Sequence, residues 1–338
     1  MTILVIQLKK LGDVILTAPA LQSLRARFPN AHLTLVVDSS AAPLRPLFDF
    51  VDAFLVYEKG KMNLSLWRHL TTSSFDATLD FAGTDRSALM TRLSRAPKRV
   101  TSIKLGDKAA KKHAYNTLVD ASVRDLHTVD YHQKFLTSLG IDSSPPSPAL
   151  AMPNETVAHI DSLLADNSLL NEPIAILHPG TAAAEKFWPP KHWATLIDHL
   201  VDHSQLPTIL TGGPAPQEQS HIQAIITKSQ NPVLNLSTHT TLLHLAELIR
   251  RAHLLISVDT LALHFGDAFQ VPQIGLFGPT NPHHWRPRHD NAIVLLAGHD
   301  APLKSFSPRH TAAPMSDLSP ESVIAALPKT IAPSHDTD

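Results

Sequence analysis

The chain of 338 residues contains no cysteine. A disulfide framework and a thiolate metal site are therefore excluded, and a reducing compartment is permitted. No apolar run approaches the ~20 residues that a membrane-spanning helix needs. Met1 leads into a strand-like run at residues 3–8 with no basic lead or cleavage site, so no secretory signal is expected. Several chemical signatures are missing as well. There is no G-x-G-x-x-G fingerprint, which disfavours an ordinary dinucleotide dehydrogenase. There is no H-E-x-x-H, and no pair among the 21 histidines has an evident carboxylate at ligand spacing, so no metal site is expected. The absence of a G-x-S-x-G elbow argues against a serine hydrolase. Glycine is scarce, 12 residues against 27 prolines, which excludes a collagen-like chain.

What is present is 43% apolar and 17% charged, the composition of a soluble globular protein. The length fits roughly two domains of about 150 residues each. A formal net charge of -1 argues against a general nucleic-acid binder, but the total hides an asymmetry. Residues 1–150 hold 19 Lys+Arg and 13 Asp+Glu, a net of +6, and the remainder is at -7. Between residues 86 and 112 lie nine basic residues and one acid, Asp107. Such a run is commonly just a solvated face. The functional alternative is a footprint for an anionic partner, and sign alone does not say which.

Short apolar runs alternate with amphipathic segments along both halves. Strands are expected at residues 3–8, 33–37, 53–57 and 77–81, with a helix at 18–28. After a Ser/Pro-rich stretch at 141–148, which reads as a domain crossing, the pattern restarts. Strands are expected at 174–177, 208–210, 233–236, 254–258 and 273–277. Helices are expected at 190–199, 217–229 and 242–251. Continuous apolar strands joined by helices predict an α/β chain with two doubly wound domains, 1–150 and 151–331, and a flexible tail at 332–338.

In open α/β sheets, ligands bind beyond the carboxyl ends of strands. Four strand ends carry polar residues there. In Gln7-Leu8-Lys9-Lys10-Leu11-Gly12-Asp13-Val14, Gly12 is read as a tight turn. Asp13 is then a helix cap or, alternatively, a general base. In His178-Pro179-Gly180-Thr181, followed by Glu185-Lys186-Phe187-Trp188, a hydroxyl and an ammonium after a glycine turn form a candidate phosphate cradle. Trp188 and Trp193 are read there as packing residues. In Ser257-Val258-Asp259-Thr260-Leu261-Ala262-Leu263-His264, a helix beginning at Thr260 would present N–H groups and a hydroxyl to an anion, with His264 one turn on. Gly275-Leu276-Phe277-Gly278-Pro279-Thr280 offers a turn at Gly278 and another hydroxyl at Thr280.

Taken together and in this order, these segments resemble the bacterial lipopolysaccharide heptosyltransferase family, glycosyltransferases of family 9. The likeness covers nearly the whole chain. Within the family, residues 80–89 and Trp285-Arg286-Pro287 look most like heptosyltransferase III. The resemblance implies a GT-B fold, with two Rossmann-like domains facing a central cleft. It further implies an inverting transferase that moves heptose from ADP-heptose to a phosphorylated lipid A-core acceptor. By position, Asp13 matches the family's base, while Thr181 and Lys186 match residues holding the donor diphosphate. Asp259 matches the carboxylate on the heptose. Thr260 and His264 match the helix terminus beside the donor phosphates. Glu218 matches an acid on the adenosine ribose, with Gln217 its competitor by one residue. Gly278 and Thr280 complete the implied donor set, and Lys9, Lys10 and Arg86 are the candidate acceptor contacts. ADP-heptose enters as co-substrate, and no obligatory cofactor or metal is implied. The implied setting is cytoplasmic, peripheral on the inner face of the inner membrane, with no nucleic-acid partner. Two positions depart from the family pattern: Leu261 stands where many members have glycine, and Ala182 where many have a second hydroxyl. The latter removes a contact worth on the order of 1 kcal/mol. A non-catalytic nucleotide-sugar binder and a GT-B nucleotide-sugar epimerase remain alternatives from other classes.

Overall fold

The apolar runs become strands because their side chains are covered on both faces, as parallel sheets require. In the computed structural model, which describes residues 1–106 and 111–328, the first strand is β1 (Thr2–Gln7), with Ile3 to Gln7 wholly buried. It is followed by β2 (His32–Asp38), β3 (Ala53–Tyr57), β4 (Ala77–Asp80), β5 (Lys98–Ser102) and β6 (Thr117–Val119). All pairings are parallel, in the order β3-β2-β1-β4-β5-β6. The connecting helices are α1 (Leu11–Ile15), α2 (Ala18–Arg27), α3 (Leu64–Thr72), α4 (Asp85–Leu93), α5 (Ile103–Gly106) and α6 (Thr128–Phe135).

A second sheet repeats the plan. Its strands are β7 (Ala175–His178), β8 (Thr208–Leu210), β9 (Leu234–Asn235), β10 (Leu254–Val258), β11 (Gln273–Phe277) and β12 (Ala292–Leu296), ordered β12-β11-β10-β7-β8-β9. Its helices are α7 (Asn154–Asp166), α8 (Pro190–Ser204), α9 (Pro216–Lys228), α10 (Leu242–Arg251), α11 (Leu261–Ala268), α12 (Pro282–Trp285) and α13 (Pro320–Ala325). The chain divides into units Met1–Ala151 and Met152–Asp338, each holding one sheet. Strand order reverses between β1 and β4 in one and between β7 and β10 in the other. Each reversal opens a crevice at the strands' carboxyl ends.

Packing explains the aromatic pair near α8. Trp188 and Trp193 are fully buried, edge to face at 5.1 Å between ring centroids, and the Trp188 indole donates to the Leu318 carbonyl at 2.8 Å. Burial of each such side chain is worth about 1.5–3 kcal/mol or more. The 141–148 stretch is irregular and tied to its own unit. Gln133 donates to the Ser143 carbonyl at 3.0 Å, the Gln22 side chain bonds both backbone groups of Ala149, and Ala151 donates to the Leu47 carbonyl. Three strands escaped the sequence reading: β5, whose sequence KRVTS is charged; β6, three residues long; and β12. Among the described residues no helix is long and apolar enough to cross a membrane. The 332–338 tail and Lys108 lie outside the described residues.

Candidate functional site

The second unit's crevice gathers the loops after β7, β8, β10 and β11. After β7 the chain turns through Gly180 and Thr181 into a short turn of 3-10 helix, Ala184–Lys186. Lys186 Nζ donates to Asp259 Oδ2 at 2.7 Å and to the Asp259 carbonyl at 3.3 Å. The pair joins residues 73 apart in sequence across the β7/β10 reversal. Asp259 is 8% exposed and Lys186 20%, so the ion pair is only partly solvated. An ammonium has three N–H donors. Two are used here, and the third is left for a ligand oxygen.

The neighbouring hydroxyls are set by the same strand ends. The Ser257 hydroxyl donates to the Val258 carbonyl at 2.8 Å and lies 3.2 Å from Thr260 Oγ1. Thr260 is the N-cap of α11, with extended backbone at φ -145°, and its side chain makes no capping bond. His264 follows one turn later and is buried. Thr181 Oγ1 accepts from the Ala183 N–H at 3.3 Å, so its O–H remains available to donate. Thr280 Oγ1 is a buried atom with no hydrogen-bond partner among the described residues.

Glu218, rather than Gln217, lies against the strand ends. Gln217 is exposed, whereas Glu218 is 9% exposed and accepts from the Gly213 N–H at 2.8 Å. Its carboxylate occupies space that only glycine leaves open. A Cβ on Gly180 would stand 2.3 Å from Glu218 Oε2. Gly278 is explained by packing: a Cβ there would meet Met315 Sδ at 2.6 Å and the Ala313 carbonyl at 2.8 Å. Two residues bracing this crevice were quoted in the motifs but not singled out. One is Ser257. The other is His178, whose Nδ1 meets Thr211 Oγ1 at 2.9 Å and which burial pushes down to about 4. A polar residue closing an apolar strand was the signal for both.

In the first unit, Asp13 sits half-buried in the first turn of α1. The cap position belongs to Lys10, so Asp13 is not the helix cap. Gly12 is the second residue of α1 and is not among the residues with positive φ, so the turn is made before it. Beneath α1 lies a buried network. The Thr17 hydroxyl donates to the Asp13 carbonyl at 2.7 Å, and Gln7 Nε2 approaches both Thr17 Oγ1 (3.4 Å) and His132 Nε2 (3.2 Å). His132 Nδ1 faces the Leu16 carbonyl at 3.1 Å, which can only accept. The proton is therefore assigned to Nδ1, and Nε2 accepts from Gln7. The ring stacks on Phe81 at 4.6 Å, and burial pushes its pKa down to about 3.

Lys9, Lys10 and Arg86 all follow strands at this same end of the sheet. Lys9 Nζ is 5.9 Å from the Tyr131 ring centroid, and the Arg86 guanidinium is 5.5 Å from that of Tyr57. The basic run at 86–112 is not one footprint. Helix α4 carries it from the carboxyl end at Arg86 to the amino end at Arg92, and Arg95, Lys98 and Arg99 stay there. Lys104 and Lys111 are spent on Asp125 and Asp85. Asp80, a fully buried acid at the end of β4, has its pKa raised by burial although Tyr115 donates to it at 2.6 Å.

A family model, glycosyltransferase family 9 (heptosyltransferase), matches residues 63–315. Lipopolysaccharide heptosyltransferase 3 of Escherichia coli is 25% identical, over 96% of this chain and 98% of that protein. Among solved structures, a family 9 glycosyl transferase from Veillonella parvula superposes with a TM-score of 0.82 at 24% identity, covering 96% of this chain and 95% of that one. E. coli heptosyltransferase WaaC with ADP-2-deoxy-2-fluoro heptose superposes with 0.71 at 22% identity, covering 96% and 98%. At these identities the structural likenesses show the fold, that of the GT-B heptosyltransferases.

Proposed function

The chain belongs to glycosyltransferase family 9, the heptosyltransferases, and from that membership we propose that it transfers heptose from ADP-heptose to the inner core of lipopolysaccharide. The observation that carries the donor half is the Lys186–Asp259 ion pair at the β7/β10 reversal. It places one cation beside one carboxylate, as a molecule with both a diphosphate and a polyol requires. Lys186 offers its third N–H to a diphosphate oxygen. The Thr181 hydroxyl and the N–H groups at the start of α11, next to Thr260, supply neutral donors aimed at the same charge. Asp259 and the Thr280 hydroxyl bind sugar hydroxyls, His264 lines the helix terminus, and Glu218 binds the ribose. Preorganised donors of this kind stabilise the diphosphate as it leaves, without a divalent ion being obligatory.

The acceptor half rests on the first unit. Asp13 takes the proton of the acceptor hydroxyl as its oxygen attacks the anomeric carbon. The bond to the ADP oxygen breaks in the same displacement, which inverts the centre. The buried, neutral His132–Gln7–Thr17 network holds α1, and Asp13 with it, in place. Lys9, Lys10 and Arg86 meet the phosphates of the lipid A-core acceptor. The reading sets the enzyme in the cytoplasm, against the inner face of the inner membrane, where such an acceptor is held.

A donor screen tests this reading. With a phosphorylated lipopolysaccharide core acceptor present, ADP-heptose should release ADP faster than other nucleotide sugars do. Turnover with another nucleotide sugar and none with ADP-heptose would overturn the donor assignment. Conversion of a UDP-sugar with no acceptor present would replace transfer by epimerisation.

A further inference from the structure

At the amino-terminal end of the first sheet, away from the crevice described above, a shallow cavity of about 560 Å³, wide open to solvent, is lined by Arg92, Arg95, Arg99 and His113. Its residues come from the last turn of α4, the following loop, the start of β5 and the segment before β6. The nine-residue helix α4 separates this end from Arg86 by about 9 Å of rise between Arg86 and Arg92. Among the described residues, Arg92, Arg95 and Arg99 have no carboxylate partner. Lys98, beside Arg99 in β5, is already committed to the Ser138 carbonyl at 2.5 Å.

Arg92 and Arg95 are exposed, whereas Arg99 is partly buried and held in place. Arg99 is fixed by its own donors: Nε to the Ala114 carbonyl at 2.9 Å and Nη1 to the Ala96 carbonyl at 2.8 Å. The rest of its guanidinium fork is thereby held in one orientation. Arg95 has φ +52° just after the end of α4. That is the left-handed position where a helix ordinarily ends in glycine or asparagine. Ser168, Gln205 and Gln270 share that conformation just past the ends of α7, α8 and α11, so at Arg95 it marks a helix stop.

We propose that this cavity is a second anion site, which binds a phosphate monoester or diester group through Arg92, Arg95 and Arg99. Guanidinium groups pair with phosphate oxygens two at a time, and three of them with no carboxylate partner among the described residues suit a ligand carrying one or more phosphates. The site does not rest on the transferase reading, because it lies at the other end of the sheet from Asp13 and uses none of the donor residues. The phosphate has two sources, a free anion or a membrane lipid headgroup.

The test uses the full chain carrying Lys186→Gln throughout, to weaken the diphosphate contact in the other unit, and adds either the double substitution Arg92→Gln/Arg95→Gly or a charge-matched control pair, Arg68→Gln/Arg45→Gln. Glycine takes positive φ readily, so Arg95→Gly removes the guanidinium while keeping the backbone. Inorganic pyrophosphate is titrated calorimetrically in one arm. In the other, the protein is sedimented with phosphatidylcholine vesicles with and without phosphatidylglycerol. Binding that becomes about tenfold weaker or more when the double substitution is added, yet is retained when the control pair is added, supports the site. Loss in the pyrophosphate arm identifies a free anion, and loss in the phosphatidylglycerol arm a headgroup. Equal binding with and without the double substitution in both arms, or no binding in either arm without it, overturns the proposal. Thermal unfolding of the double variant at the wild-type temperature confirms that the fold is intact.

Discussion

Gly180 shows how closely single residues define the second unit's crevice. Its missing Cβ is what lets the Glu218 carboxylate approach and accept the Gly213 N–H. Gly180→Ala would force Cβ against that oxygen at 2.3 Å, so either the carboxylate or the loop must move. Overpacking of this kind costs typically about 1–3 kcal/mol. The expected result in thermal or denaturant unfolding is a loss of that size, partly restored in Gly180→Ala/Glu218→Ala because the clashing atoms are gone. If the double variant is no more stable than the single one, Glu218 is not the contact. The Lys186–Asp259 pair makes a related point. Removing either partner leaves the other charge partly buried and uncompensated, so each single change disturbs the site more than the loss of one contact would.

At the level of elements, helix α6 contributes the ring that underlies α1. His132 stays neutral in the fold, with its pKa pushed down to about 3 by burial, and His178 in the second unit behaves alike, near 4. The unfolded chain takes up protons on these rings near pH 6.5. Their contribution to stability is therefore full above pH 6.5 and is lost as pH falls below it. Each histidine should cost about 2 kcal/mol of unfolding free energy between pH 7 and pH 5. His132→Asn should shrink the acid-induced loss by about that amount. An unchanged pH slope in that variant would mean that His132 is not held neutral. These elements also separate what the sequence reveals from what it hides. Strands β3, β8, β10 and β11 run over the residues expected from their continuous apolar runs, because buried parallel strands have no polar face to mask them. Strand β5 pairs with β4 through Lys98 and Arg99, whose charges disguise it. The Gln7–His132 contact spans 125 residues and depends on where α6 packs, which no local pattern encodes. The strand-end rule did place Asp13, Thr181, Lys186, Asp259 and Thr260 at carboxyl ends of β1, β7 and β10. The pairing of Lys186 with Asp259 follows from the sheet order, which local spacing does not encode.

Across the whole molecule, a net charge of -1 conceals two units of opposite sign. The positive one carries Asp13 and the basic run, and the negative one the Lys186–Asp259 pair. The transferase account therefore assigns proton abstraction and donor binding to different units, so a change in one should leave the other's task intact. The most direct check is the rate of ADP release by Asp13→Asn, with ADP-heptose and a phosphorylated core acceptor, measured alongside ADP-heptose binding. The account predicts a rate lower by roughly 10²–10⁴-fold with donor affinity unchanged. Release at the wild-type rate by Asp13→Asn would contradict it.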